Sequence, residues 1–145
     1  MGGQSKGASR TIGIEERDDE LLLEFVDESA EQLDRTEQAL LAFEQSPVGG
    51  RAQLATALRC LHSLKGSAGY VSLFEVQDVC HAAEDLIGRL GSFDPTRARH
   101  GTDLALTGVT LLRERFDEVR DACNEHREIL VSAAVSEWLV DVKTA

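Results

Sequence analysis

With 145 residues, 42% of them hydrophobic and 28% charged, the chain has the size and balance of one globular domain. Its 26 acidic and 15 basic residues leave a formal net charge of −11. That charge excludes the basic footprint of nucleic-acid binding and disfavours docking on anionic lipid. Two prolines and 5% aromatics point to helices and away from a β-sandwich.

The opening MGGQSKGASR lacks the apolar region of a secretory signal, and Lys6 stands where a myristoylation signal needs Ser or Thr. Residues 1–15 are expected to be a disordered N-terminal segment and 16–145 one domain. From about 17 to 45, Leu22, Phe25, Val26, Leu33, Leu40 and Phe43 recur at helical spacing among acids. Breaker clusters at Pro47 and Pro95 divide the chain. A second helix is expected over 51–69, ended by Gly69. Ser72 and Glu75 then read as a capping box, with Ser72 as N-cap and Val71 and Val76 as its hydrophobic staple. They start a third helix, about 73–91. The fourth, about 97–123, carries Ala105, Val109, Leu112, Phe116, Val119 and Cys123 on one stripe, and Asp94-Pro95 offers an earlier start. A fifth, about 126–142, holds ILVSAAVSEWLV and reads as buried on more than one side, or as docking a partner. The class is therefore all-α, an antiparallel four-helix bundle with a fifth C-terminal helix.

Cys60, Cys80 and Cys123 show no metal spacing and no C-x-x-C, so they read as reduced core thiols of a cytoplasmic protein. There is no 18-residue apolar run, and no membrane insertion is expected.

The second helix is asymmetric. On a wheel of about 100° per residue, Ala57, Cys60, Leu61, Leu64, Ala68 and Val71 lie opposite His62. Ala55, Leu58, Lys65, Gly66 and Gly69 surround His62 on the outward face. Glycine inside an exposed helix costs about 1 kcal/mol against alanine. Capping accounts for Gly69 but not for Gly66, where close approach by another molecule is one reason to tolerate the loss. On the third helix, Val76, Val79, Cys80, Ala83, Leu86, Ile87 and Leu90 form the core arc, and His81 faces away from it. Glu84 lies near the arc's edge, where a carboxylate can lean towards a neighbouring helix. The angles do not tell whether it reaches His62.

His62, Lys65, His81 and Glu84 make a chemically coherent set. A neutral imidazole is a nucleophile near neutral pH. A carboxylate that accepts from one ring N–H fixes the tautomer and frees the other nitrogen. A lysine one turn along balances the charge of an arriving phosphoryl group. A solvated surface histidine is the plainer alternative. Zinc on His62, His81 and Glu84 is another, but no further ligand has supporting spacing, so no metal is expected. His100 and His126 fall near helix ends, where a structural role is expected. No P-loop, G-x-S-x-G or Rossmann fingerprint occurs.

The run LHSLKGSAG, residues 61–69, resembles the signature of histidine phosphotransfer (HPt) domains, in which a helical His followed by Lys-Gly accepts a phosphoryl group. The match falls on His62, Lys65 and Gly66, with small residues at Ser67, Ala68 and Gly69. HAAEDL, residues 81–86, narrows the resemblance to the N-terminal phosphotransfer domain of CheA-type chemotaxis histidine kinases. There a second histidine and a glutamate complete a hydrogen-bonded group around the phosphorylated one. Those roles fall on His81 and Glu84. The specific match covers about 58–90. Ser72 departs from the chemotaxis pattern, which often has Gly there, and the capping box accounts for it.

The resemblance implies a phosphoacceptor and phosphodonor domain. A histidine kinase catalytic domain would phosphorylate His62, and the group would pass to an aspartate of a response-regulator receiver domain. No glycine-rich ATP box is present, so ATP and magnesium would belong to those partners, no cofactor is expected here, and enzyme status stays open. Docking is expected to be mainly apolar, around Ala55, Leu58, Gly66 and Gly69. A general phosphorelay intermediate and an interaction-only helical bundle are the competing functions.

Overall fold

Asp18 opens the first long helix by accepting a hydrogen bond from the Leu21 N–H at 3.1 Å, with Asp19 and Glu20 in the electropositive first turn. This helix, α1, is Asp19–Gln45, and it is followed by α2 (Arg51–Tyr70), α3 (Phe74–Leu90), α4 (Pro95–Glu125) and α5 (Ala133–Lys143). The computed structural model describes residues 14–46, 48 and 50–145, and these contain no strand. The expected disorder of residues 1–13, and Pro47, lie outside the described residues. Ile14–Glu16 instead form one 3-10 turn. It is followed by Arg17, whose buried guanidinium pairs with Asp19 and donates to the Arg127 carbonyl at 2.7 Å, which ties the turn down.

Cross-helix contacts fix the directions. Arg113 reaches Asp34 and Glu37 while Arg120 reaches Asp27, so α1 and α4 run antiparallel. His62 meets Glu84 while Gly69 abuts Gln77, so α2 and α3 do too. α1 touches α2 and α4, α3 touches α2 and α4, and α5 lies against α3 and α4. This is the expected four-helix bundle with an added fifth helix.

The stripes read from the sequence face the core. Leu22, Phe25, Val26, Leu33, Leu40 and Phe43 of α1 are buried, as are the apolar arcs of α2 and α3 and the stripe of α4, except that Val71 lies just past the end of α2 and is half-buried. Each fully buried Leu contributes about 1.5–3 kcal/mol. Phe25 and Phe116 meet edge to face with centroids 5.6 Å apart. α4 starts at the earlier option: the Asp94 side chain accepts from the Arg97 N–H at 2.9 Å, with Pro95 in the first turn.

Two expectations fail. The fifth helix begins at Ala133, not 126, and buries one face through Val135, Trp138 and Val142. Residues before it are drawn into an extended connector by charged partners. The Arg115 guanidinium donates to the Leu130 carbonyl, Glu118 accepts from the Leu130 N–H, and Glu75 accepts from the Ser132 N–H. Trp138 lies on Gly108 and donates to the Leu104 carbonyl at 2.8 Å.

The second failure is the capping box. Leu73 holds the N-cap position of α3 without a side-chain bond. Ser72 has φ 63°, in the left-handed region. The Leu73 N–H bonds the Ala68 carbonyl at 2.9 Å and the Ser72 N–H bonds the Gly69 carbonyl at 3.1 Å. That pair of bonds is a Schellman ending for α2, which closes at Tyr70 and not at Gly69. Glu75 is an ion-pair partner for the buried Arg115 at 2.8 Å, which competes with any capping role. Ser72 thus occupies the position that favours glycine, for backbone reasons. Ser72→Gly is expected to raise stability by about 1 kcal/mol, because it relieves the left-handed strain of a residue with a Cβ. The urea midpoint checks this; a midpoint at or below the parent's would contradict it.

Candidate functional site

α2 buries one arc against the bundle, and its opposite arc carries His62 with a side chain 70% exposed. Glu84, on the α3 edge facing α2, crosses to it. Its Oε2 lies 2.9 Å from His62 Nδ1, and its Oε1 lies 2.8 Å from Lys65 Nζ. A carboxylate only accepts, so Nδ1 carries the proton and the lone pair sits on Nε2, the nitrogen turned away from Glu84. The carboxylate is only 20% exposed. Burial pushes its pKa up, but the Lys65 and His62 contacts outweigh that and hold it below the usual glutamate range. Behind the site, burial and the nearby Glu84 charge push the Cys80 thiol up to about 12, so it stays neutral.

The geometry joins three of the four expected residues. His81 is exposed and lines the same shallow pocket as Lys65 and Glu84, but no hydrogen bond joins it to His62 or Glu84. Among the described residues no three metal-ligating side chains converge.

Of the expected docking positions, Ala55 and Gly66 are exposed and Leu58 is half-buried. A Cβ at Gly66 would meet nothing within 4 Å, so no internal packing demands glycine there. Gly69 differs: a Cβ would run into the Gln77 side-chain amide, so an internal neighbour crowds that position. A groove of about 530 Å³ runs from Gly66, Ser63 and Tyr70 across to Glu24 and Glu28 of α1. The sequence reading missed the α1 side, because spacing along α2 does not say which helix is its neighbour.

The profile of the Hpt domain matches residues 20–127, from α1 to the end of α4. The chain belongs to the Hpt domain family. This Hpt domain is 31% identical over 99 residues to a chemotaxis protein CheA of Treponema pallidum, a match covering 68% of this chain and 12% of the relative. It is 29% identical over 113 residues to a chemotaxis protein CheA of Halobacterium salinarum, covering 77% of this chain and 16% of that protein. The chain thus spans a small part of the curated relatives it matches. Its fold is that of the phosphorylated P1 domain of CheA3 from R. sphaeroides, solved in complex with CheY6. The TM-score is 0.66 at 21% identity, over 88% of this chain and 95% of that one. His62 and Glu84 both lie inside the matched stretch.

The lowered Glu84 carboxyl pKa makes part of the Hpt domain's stability sensitive to acid. A depressed folded-state value adds stability that is full above the ordinary glutamate pKa of about 4.3 and is lost as pH falls through the folded value. Glu84→Gln should therefore lose less stability than the parent chain as pH falls from about 5 through the acid range. Urea unfolding across that range is the check, and parallel losses in both chains would exclude the linkage.

Proposed function

We propose that His62 accepts a phosphoryl group from a histidine kinase catalytic domain and passes it to a receiver-domain aspartate in a chemotaxis-type two-component system. One observation carries the reading: an exposed imidazole whose Nδ1–H is held by a carboxylate, which leaves Nε2 as the nucleophile. The Nε2 lone pair forms the N–P bond to the γ-phosphorus of ATP as the bond to the β-bridging oxygen breaks and ADP leaves. The ring gains positive charge, which the Glu84 carboxylate stabilises through Nδ1–H. In the second step an aspartate oxygen attacks the phosphorus, and the N–P electron pair returns to Nε2. ATP and magnesium would sit in the partner domains. Lys65 steadies Glu84, and His81 shapes the pocket beside it.

The chemotaxis assignment draws on the CheA relatives, and on HAAEDL, which supplies Glu84. A receiver partner draws on the CheY6 complex of the R. sphaeroides domain. The cytoplasm is the compartment such a reading calls for, and three buried free cysteines fit reducing surroundings. Among the described residues no helix is long and apolar enough to cross a membrane.

The test is incubation with a CheA-type kinase core and labelled ATP. His62→Gln should keep the fold, since residue 62 is off the core, and take no acid-labile, base-stable label. Glu84→Ala should slow labelling by roughly 10- to 100-fold, on the scale of a charge-assisted hydrogen bond. Label retained in His62→Gln would move the phosphoacceptor elsewhere, and an unchanged rate in Glu84→Ala would remove the carboxylate from the chemistry.

Gly66 tests the docking face separately. Gly66→Arg should leave helical content intact, because the site is open. It should impair phosphorylation by the kinase while sparing phosphoramidate, which needs no protein docking. Equal loss with both donors would mean that the histidine itself is disturbed; no loss with either would place the partner elsewhere.

A further inference from the structure

The ammonium of Lys65 is already paired. It lies 2.8 Å from Glu84, the carboxylate that also holds His62. A phosphoryl group on Nε2 brings at least one further negative charge to this face, and Lys65 is neutralised by its partner before that group arrives. Three residues before His62 stands Arg59, exposed and one turn towards the N-terminus of α2. Residues three apart on a helix are surface neighbours. Side chains on a helix also lean towards its N-terminus, so the imidazole lies over the turn that carries Arg59.

Four of the eleven arginines among the described residues, Arg51, Arg59, Arg97 and Arg99, have no ion pair with a carboxylate, and of these Arg59 is the nearest to His62 along the chain. Seven other arginines among the described residues sit against a carboxylate. Arg59 has no such pair, and its guanidinium donates to the Thr56 hydroxyl at 3.3 Å. α2 itself contains no Asp or Glu, although the whole chain has 26. The result is a guanidinium with no carboxylate partner, rooted one turn before the nucleophile and restrained by one long bond to a neutral oxygen on the turn before that. Rotation away from Thr56 exchanges that bond for charge-assisted ones to phosphoryl oxygens, which are roughly twice as strong.

We propose that Arg59 binds the oxygens of the phosphoryl group carried on His62 Nε2, and so supplies a positive charge that Glu84 does not already balance. The inference rests on the phosphoacceptor role of His62. In the small-donor reaction the Nε2 lone pair forms the N–P bond while the P–N bond of phosphoramidate breaks and ammonia leaves. Arg59 takes no proton and supplies only donors to the transferring oxygens.

The experiment compares phosphoramidate labelling of the parent chain with Arg59→Ala, Arg59→Lys and Arg51→Ala, each checked for unchanged helical content by circular dichroism. Arg51 is a control cation on the same helix, too far away to touch the group: eleven residues, about 16 Å along the axis. Arg59→Ala is expected to label about 10- to 100-fold more slowly, the loss of charged hydrogen bonds. Arg59→Lys should recover part of the rate, and Arg51→Ala should match the parent. The phosphorus resonance of the phosphohistidine should also move in Arg59→Ala. A parent chain that takes no label at His62 would sink the phosphoacceptor reading itself. A labelled parent with an equal rate in Arg59→Ala would sink only the role of Arg59. Equal slowing in Arg51→Ala would reduce it to general surface charge, and slowing seen with the kinase but not with phosphoramidate would make Arg59 a docking residue. Either result overturns the phosphoryl contact.

Discussion

A carboxylate taken out of water must recover its lost hydration from donors in the protein, or give up its charge. Glu84 recovers it from α2, through His62 on one oxygen and Lys65 on the other. That single requirement sets the site. It fixes how α2 and α3 slide past each other, which ring nitrogen keeps the proton, and which one meets solvent. The apolar arcs on both helices do the holding, and the carboxylate decides the register in which they are held. A one-turn slip would keep much of the apolar contact and strand the charge.

The far side of α3 repeats the logic without any chemistry attached. Arg115 is almost wholly buried, and its partners are the Glu75 carboxylate and the Leu130 carbonyl. Glu118 and Arg127 form a second pair over the same connector, and that contact holds the Glu118 carboxylate below its usual range. The chain between α4 and α5 is therefore held by these polar contacts together with one buried anchor, Ile129, while Leu130 and Val131 stay exposed.

The sequence made the periodic parts of the fold legible. The arcs of α2 and α3 were readable because a helix of fixed pitch converts spacing into direction. His62 was readable as outward-facing for the same reason, and LHSLKGSAG supplied its chemistry. What could not be read depends on other helices. Whether Glu84 reaches His62 is a matter of interhelical distance. Whether Ser72 caps α3 or ends α2 depends on one dihedral, because a Ser-x-x-Glu pattern fits both places, and Arg115 claimed the glutamate. The apolar run Ile129–Val131 looked helical because hydropathy does not register a carbonyl taken by a distant arginine. His81 was placed on the exposed face, but the hydrogen-bonded group that the resemblance implied for it includes only His62, Lys65 and Glu84.

Trp138 gives this architecture a built-in optical reporter. It is the chain's sole tryptophan, it is 3% exposed, and its indole N–H is fixed on α4. Indole emission therefore watches one event, the seating of α5 on the bundle, and is blind to changes confined to α2. A phosphorylation that left the emission untouched would be chemistry written on the surface of a rigid body. A red shift on phosphorylation would mean that the fifth helix lifts when the histidine is charged, and that the signal travels through the core as well as across the docking face.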